Sequence, residues 1–404
     1  MSEPSITIYL DSNDYSMLSD PRRRTDSLDQ VRTVLQELVH SNLVRFVFSG
    51  IHLSEMAPLD TKFTPSATDR ADLLVELCGR NAFISFDRLV ASELANLVNP
   101  DAPPVQALSS NATWFPEIDK VFSPVHLWAN TAREIDHAVK ERGLNRKQRR
   151  TLKRQLFKAN QPTPKMQEWL ASQNPSSNLS EILSLYPMRP QDAEVLCRYT
   201  LGQATQKEAE DAFLESLRDP SWMMRWFATH HNKLTSVTEW LREPSRDMIA
   251  RMKEMAVHAK ELHKFQSILG SEFKADMLTR NGWRAAQDEF LLNVANRLLL
   301  HFYPKTPSCG SVELVDKHCP GLSTTIRSLL SSLWNSFCSD PRVPQESDFV
   351  DAVHAMYAPY VTFFRADRYM SPHIQKQVAQ HGTQVVSRLD ELPGRILAML
   401  HSDP

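Results

Sequence analysis

The stretch Ile6–Tyr15, ITIYLDSNDY, decides the fold of this chain. Its apolar and β-branched residues up to Leu10 are typical of a buried strand, and they stop abruptly at Asp11. Such a strand delivers the next polar side chain to the carboxyl end of an α/β sheet, where ligands and catalytic groups lie. We therefore predict that Asp11 is the first of several carboxylates that meet at one edge of a sheet.

The amino-acid composition indicates which broad class of protein this chain belongs to. The chain has 404 residues, of which 42% are hydrophobic and 23% charged, and this is typical of a globular protein with two or three domains or one large insertion. Ten glycines argue against a Gly-rich phosphate loop. Five dispersed cysteines without a CxxC motif, no signal-peptide pattern and no apolar run of ~18 residues predict a cytoplasmic protein that does not cross a membrane.

A strand–helix–strand pattern follows the opening stretch. The apolar period over 27–40 predicts a helix, and VRFVF at 44–48 predicts a second, parallel strand. A new helix is expected over 51–56, so Glu55 lies about one turn beyond that strand and should be close to Asp11. The remaining elements expected before residue 100 are a helix over 67–78, a short third strand over 82–86 and a helix over 87–98.

In the middle of the chain the pattern of apolar residues is that of helices and no longer that of strands. Helical periods recur over 117–139, 145–158, 189–218, 222–241, 244–269, 273–300 and 322–338, with prolines at several of the breaks. After residue 345 the α/β pattern returns, with helices over 347–358, 372–380 and 389–400 and strands over 360–364 and 383–388. The sequence therefore predicts one α/β domain with a central parallel sheet, formed by 1–100 and 346–404, and interrupted by an all-helical insertion over 101–345.

The helix expected over 347–358 carries polar residues on one face. Asp348, Asp351 and His354 recur three residues apart, which aligns them along that face. Asp348 alone is explained equally well as a helix cap. His354 alone is better explained as a partly buried histidine that bonds a neighbour. Asp351 together with Asp367, which follows the next strand, favours a site.

Four segments together resemble the PIN-like (PIN domain) nuclease family. They are IYLDSNDYSML at 8–18, FVFSGIHLSEMAP at 46–58, DFVDAVHAMYAPYVTFFRADRYM at 348–370 and TQVVSRLDELPGRI at 383–396. The resemblance covers roughly 1–100 and 345–404, and it implies a three-layer fold. It implies metal-binding, catalytic acids at Asp11, Glu55, Asp351 and Asp367, with Asp348 and Asp14 as candidate further members. Ser12, Asn13, Asp14 and His354 are candidates for a surrounding shell, although Ser12 and Asn13 also fit a simple turn.

Such a site would suit metal-assisted hydrolysis. Hard carboxylate oxygens are the ligands preferred by Mg²⁺ or Mn²⁺, and crowded carboxylates raise one another's pKa until a cation relieves the repulsion. The expectation is a metal-dependent nuclease, an endoribonuclease rather than a deoxyribonuclease. The alternative is a catalytically inactive PIN-like scaffold that binds nucleic acid or protein. A third hypothesis is that a regulatory protein acts through the insertion to hold cleavage off, as in toxin–antitoxin pairs.

The segment 140–158 concentrates positive charge. It contains nine basic residues against Glu141 alone, a net charge of +8, which leaves −10 for the rest of a chain whose total is −2. Such a helix is a candidate contact for a phosphate backbone. Its predicted nucleic-acid-binding residues are Arg146, Lys147, Arg149, Arg150, Lys153 and Arg154. The alternative, weighed equally, is a solvated helix paired with acidic residues such as those over 208–215.

Overall fold

The computed structural model describes residues 6–58, 60–115, 145–158, 161–171, 179–229, 279–334 and 345–402, with three single positions between 254 and 261. The chain divides into two compact units, one formed by 1–114 with 231–404 and the other by 115–230. The helix predicted over 117–139 lies outside the described residues, and the one over 244–269 lies almost wholly outside them. The described helices include none long and apolar enough to cross a membrane.

The helices and strands follow in chain order. The first part of the first unit contains β1 (Ile6–Tyr9), α1 (Ser12–Ser19), α2 (Asp26–His40), β2 (Val44–Val47), α3 (Gly50–Met56), α4 (Thr64–Cys78), β3 (Ala82–Phe83), α5 (Phe86–Val98) and β4 (Leu108–Ser109). The second unit contains α6 (Arg146–Leu156), β5 (Phe157–Lys158), β6 (Gln161–Pro162), α7 (Pro164–Ala171), α8 (Leu179–Leu185), α9 (Pro190–Thr200), α10 (Gln206–Leu217) and α11 (Pro220–Thr229).

The first unit then resumes. Its second part contains α12 (Arg280–Phe302), α13 (Val312–His318), α14 (Pro320–Trp334), α15 (Glu346–His354), β7 (Phe363–Arg365), α16 (Ser371–Val378), β8 (Gln384–Val386) and α17 (Leu392–Ser402). Short 3-10 helices span Pro21–Arg23, Thr61–Phe63, Ala355–Tyr360, Ala379–His381 and Leu389–Glu391.

The central sheet joins the two ends of the chain. Its four strands are parallel, in the order β2-β1-β7-β8, and Ile8 of β1 lies between Phe46 of β2 and Phe363 of β7. A single parallel bridge between Phe48 and Ala82 brings β3 alongside β2. The prediction of an α/β domain with a central parallel sheet built from both termini is confirmed.

Both faces of the sheet are buried. Tyr9, Val47, Phe364 and Val385, which lie in register on one face, belong to a core that also includes residues of α5, α12 and α14. Because side chains alternate along a strand, the buried residues between them face the other way, and α2 and α4 contact β2. Helices on both faces of a parallel sheet are compatible with a three-layer α/β architecture.

The segment predicted as an all-helical insertion is more varied than expected. Short antiparallel pairs form between β3 and β4 and between β5 and β6, so the prediction of helices alone over 101–345 is wrong. The helix predicted over 189–218 is two helices, separated at Gly202, whose φ of 73° ends the first one. Moreover, α12 to α14 belong to the sheet-containing unit, because their buried apolar residues share one core with those of the sheet. This division differs from the predicted boundaries at 100 and 345.

A buried carboxylate holds the start of α14. Glu93 of α5 has no exposed surface, and its two oxygens accept the backbone N–H groups of Gly321 at 2.6 Å and Leu322 at 3.0 Å. The hydroxyl of Tyr360 donates to the same carboxylate at 2.5 Å. Burial raises the pKa of Glu93 to about 7, although these three donors act against the rise. This carboxylate therefore satisfies backbone groups that α14 would otherwise leave unpaired.

Replacing Gly321 by alanine should destabilise the first unit by about 1–3 kcal/mol. A Cβ atom at this position would lie 2.6 Å from the carbonyl oxygen of Met356 and 2.7 Å from Oε1 of Glu93, so buried groups would have to move. Thermal unfolding of the variant measures the effect. Gly394→Ala is the matched control, because nothing lies within 4 Å of its new Cβ, and it should be neutral or stabilising. Equal melting temperatures for Gly321→Ala and wild type would contradict the contact.

Candidate functional site

The predicted acids lie at one edge of the sheet because parallel strands end on the same side. Asp11 follows β1, Asp367 follows β7, and Glu55 lies in α3, which begins three residues after β2. Asp351 lies in the second turn of α15, the helix that precedes β7. Four elements therefore bring these acids to the carboxyl edge, where open α/β sheets bind their ligands.

The carboxylates repel one another. Burial raises the pKa of Asp351 to about 9, and the charges of Asp11, Asp367, Glu55 and Asp348 add to the rise. Burial also raises the pKa of Asp11 to about 7, with contributions from Asp14 and Glu55, against an opposing effect of His354 and Arg365. At neutral pH these two acids thus resist ionisation, and a nearby cation would favour their charged forms.

Glu55 is the acid with defined hydrogen-bond donors. Its Oε2 atom accepts the Oγ–H of Ser12 at 2.5 Å and an N–H from Nε2 of His354 at 2.7 Å. Although burial raises the pKa of Glu55, the charge and hydrogen bond of His354 and the bond from Ser12 leave it below its ordinary value. A third of its side-chain surface is exposed, so an ionised carboxylate is presented to solvent.

A chain of hydrogen bonds orients His354. Its Nδ1 atom lies 2.5 Å from the hydroxyl of Tyr9, which in turn lies 2.7 Å from Oγ of Ser49. All three side chains are buried, with His354 only 4% exposed. His354 is thus a buried histidine that bonds a neighbour, as favoured from the sequence, and that neighbour is the predicted site residue Glu55. Sequence reasoning missed Tyr9 and Ser49, because a tyrosine within a strand is usually a core residue.

His52 joins the end of β1 to the start of α3. Its Nδ1 atom accepts the backbone N–H of Ser49 at 3.0 Å, and its Nε2–H donates to the carbonyl of Leu10 at 2.9 Å. Burial lowers the pKa of His52 to about 3, so the ring is neutral. This link fixes the position of α3, and hence of Glu55, relative to Asp11. In the sequence, His52 could have been found from its position three residues before Glu55, which places both side chains on the same side of α3.

Asp14 is neutralised by a buried arginine. Nε of Arg365 donates to its Oδ2 atom at 2.9 Å and Nη2 donates to its Oδ1 atom at 2.7 Å, and both side chains are almost completely buried. Oδ2 of Asp14 also accepts the backbone N–H of Asp11 at 3.0 Å. The pair therefore holds the backbone that carries Asp11, and this gives Asp14 a supporting position. A charged residue inside the buried strand β7 was the sign of such a partner.

Three further candidates make local contacts. Oδ2 of Asp348 accepts the backbone N–H of Gln345 at 2.9 Å. Gln345, and not Asp348, is thus the N-cap of α15, and Asp348 completes its capping box from the first turn. Oδ1 of Asp367 accepts the backbone N–H of Met370 at 2.6 Å, while the residue stays exposed at the sheet edge. Asn13 accepts a long hydrogen bond of 3.5 Å from Arg23. Asp367 and Glu55 are therefore the two exposed members of the four acids.

The basic segment forms α6 in the second unit. Arg146, Lys147, Arg150 and Arg154 are exposed, whereas the side chains of Arg149 and Lys153 lie outside the description. Two of the acidic residues over 208–215, considered above as ion-pair partners of these cations, instead bond to neighbours in their own helix α10 and at its ends. Glu208 caps α10 through Thr205, and Glu215 pairs with Arg218 at 2.7 Å. The exposed cations remain suited to a phosphate backbone.

Among the described residues, no group of three or more His, Cys, Asp and Glu side chains is arranged so that it could hold a metal ion. The four acids share an electrostatic environment, and the hydrogen bonds to Glu55 and Asp367 occupy one oxygen of each. The chain matches no protein-family model, no curated protein and no solved structure.

Proposed function

We propose that this chain is a PIN-like, Mg²⁺- or Mn²⁺-dependent ribonuclease that hydrolyses phosphodiester bonds at the edge carrying Asp11, Glu55, Asp351 and Asp367. The observation that carries the proposal is the placement of these four carboxylates, which β1, β7, α3 and α15 bring to the carboxyl edge of one parallel sheet. In agreement, burial and then the neighbouring carboxylates raise the pKa of Asp351 to about 9. A divalent cation would turn the repulsion into attraction.

The residues present supply the oxygen donors and the negative charge that a hard divalent ion prefers, although the described side chains are not arranged as a preformed metal site. All four are carboxylates, and Glu55 and Asp367 are accessible from solvent. When bound, the ion would activate water and neutralise charge on the scissile phosphate. His354, held by Tyr9, fixes the orientation of Glu55. In the second unit, the exposed cations of α6 are by themselves a candidate contact for a phosphate backbone.

The affinity for Mn²⁺ should rise with pH. Asp351 and Asp11 must lose their protons to become ligands, and their pKa values of about 9 and about 7 lie far above the ordinary value of 3.8. Binding therefore releases protons, and the association constant should increase roughly tenfold or more per pH unit between pH 6.5 and 8.5. Calorimetric titration with Mn²⁺ at three pH values measures this slope. A flat profile would remove both acids from the ligand set.

Replacing Asp11 by asparagine should abolish metal-dependent cleavage of a single-stranded RNA while leaving the fold intact. The amide keeps the shape of the side chain and removes its charge. The assay compares cleavage in Mn²⁺ with cleavage in excess chelator, and circular dichroism checks folding. Asp101→Asn, at an exposed carboxylate in the same unit, is the control and should cleave like wild type. An Asp11→Asn variant as fast as wild type would end the assignment.

One observation favours the inactive scaffold as a second candidate. Oε2 of Glu55 is already engaged by Ser12 and His354, which leaves fewer lone pairs for a cation. A protein that binds RNA but shows no cleavage in Mn²⁺ or Mg²⁺ would support this candidate over the nuclease.

A further inference from the structure

A cavity opens in the first unit. Its volume is about 820 Å³, which falls in the range of small-ligand sites, and it is bounded by α12, α14 and α16 with the segments beside them. None of the four predicted catalytic acids lines it. The cavity is polar, so water or a polar ligand fills it better than an apolar molecule does.

Two tryptophans form an aromatic wall of this cavity. The ring centroids of Trp283 and Trp334 lie 5.8 Å apart, with the planes inclined at 43°. The indole N–H of Trp283 donates to the carbonyl oxygen of Leu330 at 3.2 Å, which fixes that ring against α14. Flat, fixed rings of this kind are stacking surfaces for nucleobases.

One negative charge remains in excess among the three paired side chains inside the cavity, Arg327, Asp288 and Asp316. Nη1 of Arg327 lies 2.7 Å from Asp288, and its Nε and Nη2 atoms each donate to Asp316 at 2.8 Å. The arginine side chain is 14% exposed, and two carboxylates compete for its single charge. Carboxylate oxygens that remain can accept hydrogen bonds from the amino and ring N–H groups of a base.

Three cations lie at the outer parts of the same cavity. Arg280 and Arg284 begin α12, and Lys376 lies on α16; all three are exposed. Where the structure describes the chain, no ion pair is seen for any of the three. Arginine and lysine in this setting bind phosphate. Rings, acceptors and phosphate-binding cations thus meet in one cavity, and a nucleotide carries the complementary groups.

We propose that this cavity binds one nucleotide unit, with its base against Trp283 and Trp334 and its phosphate at Arg284 and Lys376. The unit is either part of a single-stranded nucleic acid or a free nucleotide, since both offer the same base and phosphate. The cavity shares α16 with the acid edge, because Asp367 accepts the backbone N–H of Met370 immediately before that helix. Binding here does not depend on hydrolysis at the acids.

The test measures binding to the full chain in excess chelator, so that cleavage plays no part. The probes are a fluorescein-labelled RNA hexamer of adenosines by anisotropy, and AMP and inorganic phosphate by calorimetry. Arg284→Glu combined with Lys376→Glu should weaken binding of the hexamer at least tenfold. Trp334→Phe should weaken it less than Trp334→Ala, for which at least a fivefold loss is expected.

Lys305→Glu is the matched control, because Lys305 is exposed in the same unit and does not line the cavity. Its binding should stay within about twofold of wild type once the general charge effect is included. Tighter binding of the hexamer than of AMP assigns the cavity to nucleic acid, and equal affinities assign it to a free nucleotide. Unchanged binding by the Arg284/Lys376 double variant, or inorganic phosphate binding as tightly as AMP, would overturn the proposal. An Asp11→Asn variant that no longer cleaves RNA but still binds the hexamer would show that this cavity and the acids are separate sites.

Discussion

Replacing Asp351 by asparagine should make the protein more stable and inactive at the same time. Burial and four neighbouring carboxylates raise the pKa of Asp351 to about 9, so its charge opposes folding. The free energy of unfolding at pH 8 should rise by about 2 kcal/mol, less than the full pKa shift would give, because water screens a partly exposed side chain. Loss of one charged ligand should cost catalysis about 4 kcal/mol, roughly a thousandfold in rate.

The stability gain should depend on pH with a definite sign. Asp351 has a folded-state pKa above its ordinary value, so the folded state holds the proton more tightly and wild-type stability falls as pH rises from about 4 towards 9. The difference between Asp351→Asn and wild type should be small at pH 4 and largest near pH 9. Urea denaturation at several pH values, together with RNA cleavage in Mn²⁺, measures both effects.

Asp60→Asn provides the comparison. Asp60 is an exposed carboxylate whose pKa is lowered by hydrogen bonds to Lys62 and Thr61, so its amide should bring no stabilisation. If Asp351→Asn lowered stability at pH 8, the carboxylate would be structural instead of repelled. If the Asp351→Asn variant were more stable but cleaved RNA at the wild-type rate, Asp351 would be repelled by the neighbouring acids without taking part in cleavage.

Replacing Arg365 by methionine should cost about 3–5 kcal/mol in the free energy of unfolding, the usual effect of leaving one member of a buried ion pair alone. Arg365 makes two hydrogen bonds to Asp14, and its Nη1 atom donates to the carbonyls of Ala366 at 2.8 Å and Val386 at 2.5 Å. The variant thus loses the contacts that join α1, β7 and β8. Urea denaturation followed by circular dichroism measures the loss.

Two variants sharpen this experiment. Arg388→Met removes an exposed arginine paired with Asp390 and should cost less than about 1 kcal/mol. Asp14→Leu combined with Arg365→Met removes both buried charges and should recover about half of the loss or more, since no unpaired charge remains. A double variant as unstable as Arg365→Met alone would show that the carbonyl contacts, and not the ion pair, provide the stabilisation.

The sequence was informative where side-chain type and position along a strand carry the signal. The apolar run ending at Asp11, the run ending before Glu55 and the strand before Asp367 each predicted an acid at the same edge. In the structure these three residues follow β1, β2 and β7 of the parallel sheet. Local periodicity also located α2 to within a residue or two. Strand patterns and helical periodicity depend on residues that are close together in the chain, so they can be recognised in a single sequence.

Long-range partners were not predictable in the same way. Nothing near Arg365 in sequence indicates Asp14, and nothing near Glu93 indicates the start of α14, because both pairs are separated by more than two hundred residues. The helices α12 to α14 showed apolar stripes, but a stripe does not state which surface it covers. These helices pack on α5 and on one another and share a core with the sheet, which only the tertiary structure reveals. For this reason the division into units differs from the predicted boundaries.

Pairing of β1 with β7 sets when the acid edge can form during synthesis. Thr7 and Thr362, joined by a hydrogen bond, are 355 residues apart, so a ribosome adding about 5–20 residues per second needs roughly 20–70 s between them. Until then Asp11 and Glu55 have no Asp351 or Asp367 beside them, and β1 lacks one of its neighbouring strands. A nascent chain therefore carries only two of these four acids through most of its translation, and the complete edge forms only near the end of synthesis.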